Sequence, residues 1–200
     1  PSIMRARIAW ELAQDLGIPA PRVNHVRLFI NGQPFGLYAN VEHFNDDYVE
    51  HRFARDAGNL YKCLYPADLA NLGTDPASYK LSSGGRRVYE LETNEGADDY
   101  RGLAAFVTAL HATTGTQSLC ALDSIFNVND YLKWLAWEIT TGHWDNHSFN
   151  KNNFYLYEDP ASGLMHFSSY DADNTFGVDW FNINWATRGI TQFGTYPLYT

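Results

Sequence analysis

Residues 143–178 read HWDNHSFNKNNFYLYEDPASGLMHFSSYDADNTFGV, and this stretch decides how the rest of the chain is understood. Asn153-Phe154-Tyr155-Leu156-Tyr157 is aromatic and apolar, Asp159-Pro160-Ala161-Ser162-Gly163 is turn chemistry, and residues 164–170 are again rich in rings. That order predicts a β-hairpin. A hairpin brings its outer ends together, so residues 145–153 should face residues 171–174. Carboxylates and carboxamides would then converge on one spot, and hard cations such as Mg²⁺ take oxygen donors of this kind. Asn and Asp also gather at strand ends simply because they make turns, so residue type alone leaves both readings open.

Spacing narrows the choice. Asp145 is followed five residues later by Asn150, then by a strand pair, then by Asp171-Ala172-Asp173-Asn174-Thr175-Phe176-Gly177. This is the order of a protein-kinase catalytic loop and its metal-binding turn, in which the first Asp orients a hydroxyl and accepts its proton while the Asn and the later Asp hold metal on the phosphates.

Composition sets the outer bounds. Two hundred residues, 45% hydrophobic and 16% aromatic with 18% charged, make an ordered globular chain with many rings, read as a single domain over residues 1–200. A formal net charge of −9 argues against nucleic acid as the main partner, since a polyanion calls for a surplus of Lys and Arg. No apolar run reaches the eighteen residues of a membrane span. The chain opens directly on a helical pattern without a signal peptide, as a piece of a longer protein would. Cys63 and Cys120 set no metal pattern, and either a disulfide or two thiols fits them.

Outward from the central stretch, the pattern predicts a mixed α+β fold. Ser2 is placed to cap a helix over residues 3–16, with Ile8, Leu12 and Leu16 on its inner stripe and Gly17 as its stop. Residues 25–30 and 33–42 flank Asn31-Gly32, the strongest short hairpin signal in the chain, with a bulge expected at Gly36. A polar helix is expected over 44–57, a strand over 60–65, irregular chain over 66–95, and an amphipathic helix over 100–112 through Leu103, Phe106, Val107 and Leu110. Asn129 or Asp130 should open a helix over 131–141, with Leu132, Leu135, Ala136 and Ile139 inward, that feeds straight into Asp145. Trp134, Trp137 and Trp144 read as core and rim rings rather than ligand-stacking ones. Residues 178–200 read as loop.

Several blocks, taken in order, carry a resemblance: residues 5–16 followed by GIPAPR, then INGQPFGLYANVEHF, GNLYK, YELETN, NDYLKWLAWEITTGHWDNHSFNKNNFYLY and YDADNTFG. Together they resemble the CotH family of spore-coat and secreted atypical protein kinases across nearly the whole chain. The resemblance implies a kinase-like fold, Mg²⁺ and ATP as cofactors, transfer of the γ-phosphate to Ser or Thr of a protein substrate, and a place outside the cytosol, at a cell or spore surface. On its motifs, Asp145 matches the catalytic acid, Asn150, Asn152 and Asn153 the amide run, and Asp171 and Asp173 the metal turn. Asp171, Asp173, Asn150 and Asn153 are thus the expected metal ligands. Asn150, Glu42 and Lys62 are the expected nucleotide contacts, with capping of the strand end as the other role open to Glu42 and a solvated edge charge as the other role open to Lys62. Family members begin earlier, with a basic, Gly-containing strand pair that covers the phosphates and carries the usual phosphate lysine; this chain starts after it.

Two other readings compete. A non-catalytic adhesion or coat-assembly module would use the aromatic, acidic surface to bind partners. A glycosidase would use Glu138 and Asp145 as its carboxylate pair among sugar-stacking tryptophans.

Overall fold

The computed structural model describes residues 4–54, 57–112, 118–182 and 184–189, and they form a mixed α+β structure. Its centre is a four-stranded antiparallel sheet in the order β6 (Tyr89–Leu91), β3 (Leu60–Cys63), β7 (Phe154–Glu158) and β8 (Met165–Ser169). Alternation along the strands sends Cys63, Phe154 and Leu156 to one face and Leu60, Tyr155 and Tyr157 to the other. The first face is covered by α1 (Arg5–Asp15), α3 (Arg101–Ala112) and α5 (Val128–Thr141). The second is covered by Phe44 and the short helix α2 (Asp46–Arg52), with the Phe44 ring stacked on Tyr155 at 4.4 Å. A sheet packed on both faces holds its strand ends in fixed places, and the loops that matter leave from those ends.

The β7–β8 hairpin is as expected. Its turn is built by Asp159, whose carboxylate accepts from the backbone N–H of Ala161 and Ser162 and from the Ser162 hydroxyl. The other hairpin is β1 (Val23–Ile30) with β2 (Gln33–Val41), closed by Asn31 and Gly32 at φ 51° and 78°, with the register slipping one residue at Phe35, next to Gly36. Among the described residues it pairs with no other strand, and both of its faces are largely exposed.

The helices are where expectation and structure diverge. In α1 the buried residues are Ala9, Trp10 and Ala13, while Ile8 and Leu16 are exposed. Trp10 sets the rotation, because stacking on Trp137 at 5.2 Å buries more surface than the aliphatic stripe could. The Ser2 cap lies outside the described residues. In α5 the same competition turns Tyr131, Trp134, Trp137 and Glu138 inward and leaves Leu132 and Ala136 exposed. The tryptophans are core rings, as read. The helix also starts earlier than residue 131, because Asn127 caps it by accepting from the Asp130 N–H.

Helix α2 covers seven residues and ends at an extended Phe53; residues 55–56 of the longer expected helix lie outside the described residues. Strand β3 stops at Cys63. The stretch 66–95 is more ordered than its composition implies: it holds a 3₁₀ turn at Pro76–Tyr79, a minimal hairpin of β4 (Ser82–Ser83) and β5 (Arg86–Arg87), and strand β6 on the edge of the central sheet. Helix α3 matches its expected pattern, with Leu103, Phe106, Val107 and Leu110 all buried. The short α4 (Ser118–Asp123) follows it, and a 3₁₀ turn at Trp185–Thr187 interrupts the tail read as loop, of which residues 183 and 190–200 lie outside the described residues. Cys63 is buried, Cys120 is exposed, and both are free thiols. Among the described residues no helix is long and apolar enough to cross a membrane.

Candidate active site

Helix α5 ends at Gly142, whose φ of 64° turns the chain sharply into His143, Trp144 and Asp145. The loop that follows is organised by Asn146. Its side-chain oxygen accepts from the Phe149 N–H at 3.0 Å, capping α6 (His147–Asn150), and from the Ser148 hydroxyl. Its amide nitrogen donates to Glu138 Oε2 at 2.8 Å and to the His143 carbonyl at 3.0 Å. Its own carbonyl accepts from the N–H groups of Asn150 and Asn152. A loop this densely bonded presents Asp145 in one orientation.

Three carboxamides surround that residue. Asn150 Nδ2 donates to Asp145 Oδ1 at 2.5 Å, Asn174 Nδ2 to Oδ2 at 3.3 Å, and Asn153 Nδ2 to the Asp145 carbonyl at 3.0 Å. Across the hairpin base, the Tyr170 N–H donates to the Asn153 carbonyl at 2.8 Å, so Asp171 starts directly beside the amide run. Asp145 and the Asp171–Asn174 turn are therefore one site, as the hairpin reading required. Asn153 and Asp171 both adopt left-handed backbone, at φ 54° and 58°, which bends the chain off each strand end at the same level.

Three carboxyls crowd this end of the hairpin. Burial, and then the neighbouring Asp173 carboxylate, push Asp171 well above the usual carboxylate range, with Asp145 adding to the push. Asn150 and Asn153 spend their amide nitrogens on Asp145, so their side-chain oxygens, like the carboxyls of Asp171 and Asp173, are donors of the hard type that could hold Mg²⁺. Among the described residues no three carboxylates, imidazoles or thiolates converge as a self-sufficient metal cage.

Lys62 lies at the same end of the sheet. Its Nζ is 3.5 Å from Glu92 Oε1 and sits 5.3 Å from the ring centre of Tyr170, the residue before Asp171. It is thus a paired, half-buried cation and not a solvated edge charge. Glu42 closes the β1–β2 strand ends: its carboxylate takes the Arg22 N–H and the Arg22 and Arg52 guanidinium groups, and it lines an open cleft with Arg22, Val23, Asn24 and Asn40. Asn152 is also structural, accepting from the Tyr65 N–H.

Sequence reading placed Asn146 and Asn174 in the converging stretches without giving either a role, and overlooked Arg5, whose guanidinium donates to the Asp173 carbonyl at 3.3 Å. A cap-forming Asn next to the acid, and an Asn inside the acidic turn, were the available signals for the first two. The glycosidase pairing fails because Glu138 is fully buried beneath Asn146 and cannot touch a sugar. Burial raises its carboxyl to about 8 and lowers the His143 and His147 imidazoles beside it to about 4 and about 3, favouring the neutral form of all three.

A family model described as CotH kinase protein matches residues 1–198. The chain belongs to the CotH family. Among its CotH relatives, Invasin CotH2 of Rhizopus delemar is 27% identical over 188 residues, covering 90% of this chain and 31% of the relative. Inner spore coat protein H of Bacillus subtilis is 25% identical over 179 residues, covering 90% and 48%. Invasin CotH3 of Rhizopus delemar is 26% identical over 188 residues, covering 90% and 30%. The chain thus spans roughly a third to a half of the length of these curated CotH proteins.

Proposed function

We propose that this CotH chain forms the acid- and metal-bearing part of a kinase-like fold that transfers the γ-phosphate of ATP to Ser or Thr hydroxyls of a coat or cell-surface protein. The observation that carries this reading is the pairing of Asp145, fixed by Asn150 and Asn174, with the Asp171–Asp173 turn across one hairpin base. The family description and the coat and invasin names of the relatives support the activity and the location.

In this reading Asp145 accepts the proton of the acceptor hydroxyl as its oxygen bonds to the γ-phosphorus and the bridging β–γ oxygen leaves with ADP. Asn150 and Asn174 orient the carboxylate so that its remaining lone pairs face the hydroxyl. Asp171 and Asp173, with the side-chain oxygens of Asn150 and Asn153, would hold Mg²⁺, which when bound neutralises charge on the phosphate oxygens. Lys62, held by Glu92, is the cation assigned to the phosphates. Asp145→Ala in the full-length protein should lower ³²P transfer by roughly 10²- to 10⁴-fold with its circular dichroism spectrum unchanged. Undiminished transfer would overturn the assignment.

The exposed β1–β2 ribbon favours a second reading, an adhesion or coat-assembly module. Calorimetry of the full-length protein with Mg-ATP separates the two: heat of binding supports phosphotransfer, and its absence supports the module.

A further inference from the structure

Glu138 sits in the last turn of α5 with no exposure to solvent. Its Oε2 accepts from Asn146 and lies 3.7 Å from His147 Nδ1. Glu138 Oε1, His147 Nδ1 and both ring nitrogens of His143 are buried without a well-formed hydrogen bond. A layer of this kind is costly: a leucine of similar size would remove the desolvation penalty of the carboxyl and fill the space. Stability therefore does not account for a carboxyl at this position. Besides a weaker interaction with the Ser169 hydroxyl on β8, its one well-formed hydrogen bond, at 2.8 Å, goes to the hub of the Asp145 loop. Asn146 joins α5, the His143 carbonyl, the α6 cap and the backbone of Asn150 and Asn152, and its sequence neighbour is Asp145.

We infer that Glu138 is a positioning residue that, through Asn146, sets the loop aiming Asp145 and Asn150 at the reacting hydroxyl. This rests on the phosphotransfer reading above. The carboxyl acts as a hydrogen-bond acceptor anchored on a rigid helix, so the acceptor atom matters and a negative charge does not. Displacing a reacting group by about 1 Å can cost on the order of a hundredfold in rate, and loss of the anchor would allow a shift of that size.

The test uses the full-length protein and two measurements. Glu138→Leu should lower kcat per folded molecule by about thirtyfold or more with KM for ATP changed less than about threefold, whereas Glu138→Gln, which keeps an acceptor, should stay within about threefold of the parent. Asn146→Ala, which also removes the α6 cap and the bond to the His143 carbonyl, should be at least as impaired as Glu138→Leu, and the double variant should be no worse than Asn146→Ala, because the Glu138 link is already lost in it. Independently of activity, amide exchange of residues 147–153 should accelerate by about tenfold or more in Glu138→Leu while α1 is unchanged. A folded Glu138→Leu with parental kcat and parental loop exchange would overturn the inference, as would a Glu138→Gln as impaired as Glu138→Leu. Should Glu138→Leu not accumulate as folded protein, Glu138→Met, an unbranched side chain of similar length without an oxygen acceptor, carries the same test. A parent protein that transfers no phosphate would overturn the phosphotransfer reading, and loop exchange would still decide whether Glu138 holds the loop.

Discussion

β1–β2 and β7–β8 are both antiparallel hairpins closed by Asn, Asp and Gly chemistry, yet Phe29, Phe35 and Leu37 of the first are more than half exposed while Phe154 to Tyr157 of the second are buried. The difference lies in what covers them. β7 is flanked by β3 and β8 and sandwiched between the tryptophan-rich helices and the Phe44–Tyr48 ring pair. β1–β2 has its turn and its own ladder, with Arg22, Glu42 and Arg52 tied together at the base. Turn chemistry makes a hairpin, but burial on both faces makes one that can hold two acidic loops in register. The candidate site hangs from the buried hairpin.

The sharpest way to break this comparison is one chemical change made in both hairpins. Phe154→Ala should cost about 3–5 kcal/mol, and Phe29→Ala less than about 1 kcal/mol, in urea unfolding. Similar losses would show that β1–β2 is as integral to the fold as β7–β8. Next in size is Gly58→Ala: a Cβ there would lie 2.0 Å from the Glu158 carbonyl oxygen at the far end of β7, so backbone must move, at a cost of about 3 kcal/mol. A stable Gly58→Ala protein would mean that this end of the buried hairpin is less tightly packed than it looks.

A smaller effect concerns the base of the exposed hairpin. Burial disfavours the charged Glu42 carboxylate, but the Arg22 N–H and the Arg22 and Arg52 guanidinium groups outweigh it and hold the group below its ordinary value of 4.5. A lowered folded value adds stability above the unfolded value, and that stability is lost as pH falls through the folded one. Glu42→Gln should therefore cost about 1.5–3 kcal/mol at pH 7, and the gap to the parent should close as pH drops below 4.5. A gap independent of pH would show that shape, and not charge, closes the ribbon. The smallest effect is expected at Gly32, at φ 78° with open space around it: Gly32→Ala should cost about 1 kcal/mol and speed amide exchange in β1–β2 alone.

The buried hairpin was legible because an aromatic run, an Asp-Pro-Ala-Ser-Gly turn and a second aromatic run admit few other folds, and its geometry alone brought Asp145 to Asp171. Helix faces were less legible. Leu12, Leu135 and Ile139 pack at the core's margin as their stripes imply, but Ile8 and Leu16 at α1 and Leu132 in α5 are exposed, because Trp10, Trp134 and Trp137 bury more area and rotate both helices. β6 was illegible because three residues in a turn-rich stretch become a strand only when β3 lies alongside. The Glu138–Asn146 link was hidden for a related reason: the reversal at Gly142 folds the loop back under its own helix, which spacing along the chain does not reveal.

Trp144 directly precedes Asp145, donates its indole N–H to the Val178 carbonyl just beyond the acidic turn, and meets Trp180 and Phe181 edge-on at 5.3 and 5.0 Å. One fluorophore thus bridges the two loops that a nucleotide would have to engage, so ligand arrival can be followed optically without attaching a dye. The emission change on adding Mg-ATP should shrink in Trp144→Phe, with Trp180 and Trp185 of the same ring cluster supplying what remains, while the deeply buried indoles of Trp10, Trp134 and Trp137 supply a constant background.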